Sequence, residues 1–129
     1  RRLVDGNDVA FLTIGPIGKK MESVVAEAKE QGVSVAHYDM RFLKPLDENI
    51  LHEVGRKFKY VVTLEDGTVK GGLGSAVAEF MAENNYTPSL VIMGIPDQFV
   101  EHGTPDELYR ICGIDAENVL RTILKFKNN

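Results

Sequence analysis

The sequence predicts an α/β domain of three layers, with helices covering both faces of a mostly parallel sheet of four to five strands. Apolar, β-branched runs recur at Val9 to Ile14, Val33 to Tyr38, Tyr60 to Leu64 and Leu90 to Ile95, each bounded by turn residues. That is the pattern of strands buried on both faces. Stretches of helical spacing lie between them, and strands alternating with helices fold as a parallel sheet with helical crossovers.

Each element has its own signal. Arg1 to Val4 reads as a short strand, and Asp5-Gly6 favours a tight reversal, so this segment is expected to add an antiparallel edge strand. Ile17, Met21, Val24, Val25 and Ala28 repeat at helical spacing, with Gly32 as the C-cap, which predicts a helix between the first two runs. Asp47 is placed to N-cap a helix that turns Ile50, Leu51 and Val54 inward and ends at Lys57 to Lys59. Ser75 to Tyr86 carries Ala76, Val77, Phe80 and Met81 on one face, and Thr87-Pro88 stops it before the fourth run. Thr104-Pro105-Asp106-Glu107 supplies an N-cap, a proline at the first helical position and a capping-box glutamate, predicting a short helix to Cys112. After Gly113, Asp115 is placed to cap a last helix with Val119, Leu120, Ile123 and Leu124 toward the sheet.

A length of 129 residues fits one domain with one core, and 43% hydrophobic with 26% charged residues is ordinary globular composition. The net charge of -4, with no cluster of basic residues, argues against nucleic acid as a partner. Cys112 is the one cysteine, so no internal disulfide forms, and its neighbours Ile111 and Gly113 mark it as packing. No run reaches the roughly twenty apolar residues of a membrane span, and no apolar signal core follows Arg1 and Arg2, so no membrane partner and a cytoplasmic location are expected. The sequence opens without methionine on a strand-like segment, which predicts that residues 1–129 are a single domain taken from a longer chain.

In an open parallel sheet, ligands and partners meet the loops at the carboxyl ends of the strands. Asp39, Arg41, Lys44, Glu65, Asp66, Asp97, Glu101 and His102 all fall in such loops, which makes that edge the functional face. The same loops carry Phe42, Leu43, Leu46, Ile95, Phe99 and Val100, large apolar groups that need a cover. The edge is therefore expected to be an assembly surface, with Asp39, Arg41, Phe42, Lys44, Glu65, Gly72, Gly74, Asp97, Phe99, Glu101 and His102 as interface or active-site rim. Arg41 is expected to pair with Asp39 or Glu65.

Catalytic and metal motifs are weak. Gly71-Gly72-Leu73-Gly74 before a helix has the glycines of a phosphate cradle, but Val77 stands where the dinucleotide pattern needs a small residue. Gly15-Pro16-Ile17-Gly18 also precedes a helix, and such turns are common α/β connections as well as anion seats. His37 lies in a strand and His52 in a helix, neither with a ligand partner at metal spacing. His102, beside Glu101, is the one histidine in a strand-end loop. No serine or cysteine sits in a nucleophile turn.

The stretch Asp39-Met40-Arg41-Phe42-Leu43-Lys44-Pro45-Leu46-Asp47, then Thr63-Leu64-Glu65-Asp66 and Gly71-Gly72-Leu73-Gly74-Ser75, resembles the C-terminal domain of the transketolase superfamily. A third block, Gly94-Ile95-Pro96-Asp97-Gln98-Phe99-Val100-Glu101-His102-Gly103-Thr104 continuing to Gly113-Ile114-Asp115, is similar to the deoxyxylulose-phosphate synthase branch. The likeness runs from about Asp8 to Leu124. It implies a parent transferase that uses thiamine diphosphate and magnesium to condense pyruvate with glyceraldehyde 3-phosphate, releasing carbon dioxide and feeding isoprenoid, thiamine and pyridoxal synthesis. It also implies that the cofactor and the activating glutamate belong to preceding domains, so that this domain alone is inactive, binds no cofactor or metal, and meets the preceding domains of its own chain and a second subunit in a homodimer. Glu65-Asp66-Gly67 with Asn84-Asn85 imitates the superfamily's magnesium motif, but glutamate replaces its first glycine and the spacing is too short. A pyruvate dehydrogenase β subunit or a transketolase is the alternative parent, and a freestanding flavodoxin-like binding module is the reading from another class.

Overall fold

All six residues of Val9–Ile14 are buried, because this strand, β2, lies in the middle of the sheet with helices over both faces. The computed structural model describes residues 1–41, 46–65, 72–94 and 115–127. Within them, β1 (Arg2–Val4), β2, β3 (Val35–Asp39), β4 (Tyr60–Glu65) and β5 (Ser89–Gly94) form one sheet in the order β1-β3-β2-β4-β5. The four longer strands are parallel and β1 is antiparallel. The reversal at Asp5-Gly6 thus produces the expected edge strand, but it carries β1 past β2 to pair with β3, with Arg2 opposite Tyr38.

The helices are α1 (Ile17–Lys20), α2 (Glu22–Glu30), α3 (Glu48–Lys57), α4 (Leu73–Glu83) and α5 (Ala116–Leu124). Strand alternation divides the core in two. On one face Val9, Phe11, Val35, Val62 and Leu64 pack with Ile17, Val24, Val25, Val119 and Ile123 of α1, α2 and α5. On the other Ala10, Leu12, Tyr38 and Val61 pack with Leu51, Val54, Leu73, Val77 and Met81 of α3 and α4. This is the three-layer arrangement expected from the sequence.

Local signals account for most helix ends. Asp47 Oδ1 accepts from the amides of Asn49 and Ile50 at 3.1 and 3.2 Å, an N-cap for α3. Gly32 at φ 95° ends the α2 segment, with the Val33 amide returning to the Ala28 carbonyl at 2.9 Å.

Two expectations are corrected. The single helix from Ile17 is two pieces, because its first turn closes by i to i−3 bonds, Lys19 to Pro16 and Met21 to Gly18, leaving Met21 at φ -94° and ψ 4° between them. Asp115 stands at the N-cap of α5, but its carboxylate accepts from the Asn118 side-chain amide instead of a backbone N–H. The short helix expected from Thr104 to Cys112 lies outside the described residues. No helix among the described residues is long and apolar enough to cross a membrane.

Candidate functional site

Parallel pairing brings the carboxyl ends of β2, β3, β4 and β5 to one edge. The register sets Thr13 beside Asp39, Ile14 beside Glu65, and Glu65 beside Gly94. Asp39 and Glu65 therefore end the two strands that flank β2. Of the residues expected at this edge, Asp39, Arg41, Glu65, Gly72 and Gly74 are described; Phe42, Lys44, Asp97, Phe99, Glu101 and His102 lie outside the described residues.

Glu65 ends β4 with its side chain in the interior, only 8% exposed. Its Oε1 accepts from the backbone amide of Leu73 at 2.7 Å. A carboxylate at the first residue of the eleven-residue helix α4 also meets the positive end of the helix dipole. Gly72 makes room for it, since a Cβ there would stand 2.7 Å from Glu65 Oε1, and the residue adopts φ 57°. Gly74 makes room for Ile92 of β5. At both glycines the close approach comes from this chain's own side chains.

Asp39 builds the other flank. Its Oδ1 accepts from the amide of Arg41 at 3.0 Å, a short turn that holds Arg41 at φ 58°. The expected Arg41–Asp39 contact thus runs through the backbone amide. A non-glycine residue in this region carries local strain, which here fixes the direction in which the chain leaves β3.

Between these carboxylates the strands bury a polar pair that the sequence did not point to. His37 is fully buried, and its Nε2 lies 2.9 Å from Thr13 Oγ1. The ring packs against Phe11 with centroids 5.0 Å apart. Burial lowers the His37 pKa below its ordinary value, and the nearby Asp39 and then Glu22 carboxylates oppose that shift without reversing it. The imidazole is accordingly neutral. A polar residue inside the otherwise apolar run Val9–Ile14 was the available sign of a buried partner.

Chemically, the described part of the edge offers two ordered carboxylates, one strained backbone turn and the amino end of α4. No group of three or more His, Cys, Asp and Glu among the described residues is arranged to hold a metal ion.

A family model described as Transketolase, C-terminal domain, matches residues 1–119. The 1-deoxy-D-xylulose-5-phosphate synthase of Bacteroides thetaiotaomicron is 58% identical over 126 residues, 97% of this chain and 20% of that protein. The synthase of the same name from Phocaeicola vulgatus is 54% identical over 127 residues, covering 98% and 20% of the two chains. That from Aquifex aeolicus is 36% identical over 122 residues, covering 94% and 19%. Among solved structures, a split gene transketolase described as an inactive beta4 tetramer superposes with a TM-score of 0.85 at 35% identity, covering 97% of this chain and 41% of that one. The chain spans about a fifth of the length of the curated relatives it matches.

Proposed function

Because the chain belongs to the transketolase C-terminal domain family, we propose that it is the C-terminal domain of a cytoplasmic, thiamine-diphosphate-dependent transferase that condenses pyruvate with glyceraldehyde 3-phosphate to 1-deoxy-D-xylulose 5-phosphate. The observation that carries this reading is the 58% identity to one such synthase, kept over 126 residues. The transketolase alternative is less favoured, since the solved split gene transketolase is 35% identical against 58% for that synthase.

In this reading the strand-end edge serves assembly and the active-site rim, and the chemistry belongs to the preceding domains. The described residues do not fit the cofactor. A diphosphate would seek the amino end of α4, but Glu65 already takes the Leu73 amide there, and a buried carboxylate repels a diphosphate. Asp39 and Arg41 would instead face the preceding domains and a second subunit, together with the apolar Phe42 and Phe99 of the adjoining loops, with the buried Glu65 ordering the edge behind them. Apolar groups rimmed by charge are the composition of an interface.

A domain exchange tests this. The corresponding segment of the Bacteroides thetaiotaomicron synthase is replaced by this chain, and product formation from pyruvate and glyceraldehyde 3-phosphate is compared with the parent and with a truncation that ends before the segment. Activity within about tenfold of the parent, with an inactive truncation, is the expected result. A soluble, dimeric but inactive chimera would overturn the assignment.

A further inference from the structure

The lateral edges of a sheet expose a row of backbone donors and acceptors, and natural proteins blunt them with short strands, charge or proline. β1, at one edge, is three residues long, and its Arg2 lies 3.8 Å from Asp5 and 4.0 Å from Glu53. β5, at the other edge, has six residues, Ser89–Gly94, with no charge and no proline. No strand among the described residues pairs with its outer side. Ile92 in its middle is 54% exposed, the most exposed large apolar residue among those described. We infer that β5 is the docking edge for a second copy of this chain, the two β5 strands pairing antiparallel about a twofold axis at Ile92.

Backbone direction sets the pairing. The Ser89 amide donates to the Lys59 carbonyl at 2.8 Å, and β5 runs in unbroken parallel register with β4, from Tyr60 beside Ser89 to Glu65 beside Gly94. Alternate residues of a strand bond to the same neighbour, so Ser89, Val91 and Met93 turn their backbone groups to β4, while Leu90, Ile92 and Gly94 turn theirs outward. That outward set is centred on Ile92. An antiparallel copy placed about Ile92 sets Ile92 against Ile92 and Leu90 against Gly94, and each pair exchanges both backbone hydrogen bonds at a Cα separation of about 5.5 Å. The side chains agree with this pairing. The exposed isoleucine is covered by its own copy, the leucine falls opposite a glycine, and an uncharged strand meets no like charge when paired with itself.

The helical layer fits the same copy. α4 packs over both β4 and β5. Its Phe80 turns toward α3, with the ring centroid 4.8 Å from that of His52, and its Gly74 turns toward Ile92, where a Cβ would stand 2.3 Å from Cγ2. Beyond Gly74, on the flank away from α3, helical spacing places Ser75, Ala78 and Ala82, all small and uncharged, while the exposed Glu79 and Glu83 lie on the outer surface. With strands about 4.8 Å apart, joining two β5 edges sets the two copies of α4 about 10 Å apart, which is the packing distance of a helix pair. A lone strand pair is marginal in water. The α4 contact adds a second layer to it, and the small residues let the two helices close.

This lateral edge is distinct from the strand-end edge and independent of the parent activity, so sedimentation equilibrium and hydrogen exchange on the 129-residue chain test it. The expected result is a mass that rises with concentration to that of two chains, with exchange at the Leu90, Ile92 and Gly94 amides slowing as the dimer fills. Ile92→Lys sets two cations face to face, and Ile92→Pro removes an outward donor at an edge position that tolerates proline. Each is expected to weaken the dimer by at least about tenfold while the far-ultraviolet circular dichroism stays that of the folded domain. Val4→Lys, on the opposite edge strand, is expected to leave the dimer unchanged. If both Ile92 variants unfold, the concentration dependence of exchange in the wild type decides alone. A wild type that keeps the mass of one chain, as it would if the preceding domains of the parent cover β5, overturns the inference. So does a dimer whose β5 amides exchange as fast as in the monomer, or one that folded Ile92→Lys or Ile92→Pro leaves intact.

Discussion

Glu65, the last residue of β4, accepts a 2.7 Å hydrogen bond from the backbone amide of Leu73, the first residue of α4. The strand therefore caps the helix that follows it across the loop between them. Gly72 offers no side-chain cap, so this carboxylate takes the place that Ser, Thr or Asp usually fills.

Replacing Glu65 with Ala removes this acceptor and is expected to cost about 1 to 2 kcal/mol, the upper part of the range for a helix cap. Glu65→Gln keeps an acceptor of the same length and should recover part of the loss. Urea denaturation of the three proteins measures both. Equal midpoints for wild type and Glu65→Ala would show that the bond contributes nothing.

Asp47 caps α3 with one oxygen shared by two amides. Asp47→Ala is expected to lower stability by about 1 kcal/mol, and Asp47→Asn by only a few tenths, since Asn caps nearly as well. A thermal melt that does not separate Ala from Asn would argue against the cap.

The buried His37 predicts a pH dependence. Its folded pKa is lowered, chiefly by burial, so the stability it allows is complete above about pH 6.5, the unfolded value. Below that pH the unfolded chain takes up a proton that the folded chain resists, and stability falls at up to about 1.4 kcal/mol per pH unit from this one site. His37→Gln should flatten the fall in stability over the interval just below about pH 6.5, whatever it does to absolute stability. Denaturant midpoints of both proteins across that interval provide the check, and identical slopes would count against the buried neutral imidazole.

The layers, the strand runs and the Asp47 and Gly32 helix ends were legible in the sequence because each rests on local spacing or on one residue's backbone preference. Glu65 and Asp39 were placed on the right edge for the same reason, since strand polarity alone decides it. Their roles were not legible. That Glu65 reaches back to α4, that Gly72 and Gly74 admit this chain's own side chains, and that Thr13 meets His37 all depend on contacts between different elements, 8 positions apart for Glu65 and Leu73 and 24 for Thr13 and His37. The break at Met21 was hidden for another reason: apolar spacing reports which face is buried, and both pieces keep the same buried face across a tightened turn.

Edge strand β1 is held at its side-chain level by Tyr38 and Glu53. The Tyr38 hydroxyl donates to Glu53 Oε2 at 2.8 Å, and Glu53 Oε1 lies 4.0 Å from the Arg2 guanidinium of β1. The ion pair is half-exposed and worth little alone, whereas the hydroxyl bond is partly buried and charge-assisted. Tyr38→Phe is therefore expected to cost about 1.5 to 3 kcal/mol, the range for a hydrogen bond to a charged group, and Arg2→Ala less than about 1 kcal/mol. Burial, then the bond to Glu53, raises the Tyr38 pKa above its usual value, so the stability tied to the neutral phenol is present below about pH 10 and is lost as the pH rises beyond it. Subtracting the ultraviolet titration of Tyr38→Phe from that of wild type isolates this phenol. A difference curve with its midpoint at pH 10 would show a solvated hydroxyl and count against the Tyr38–Glu53 bond between β3 and α3.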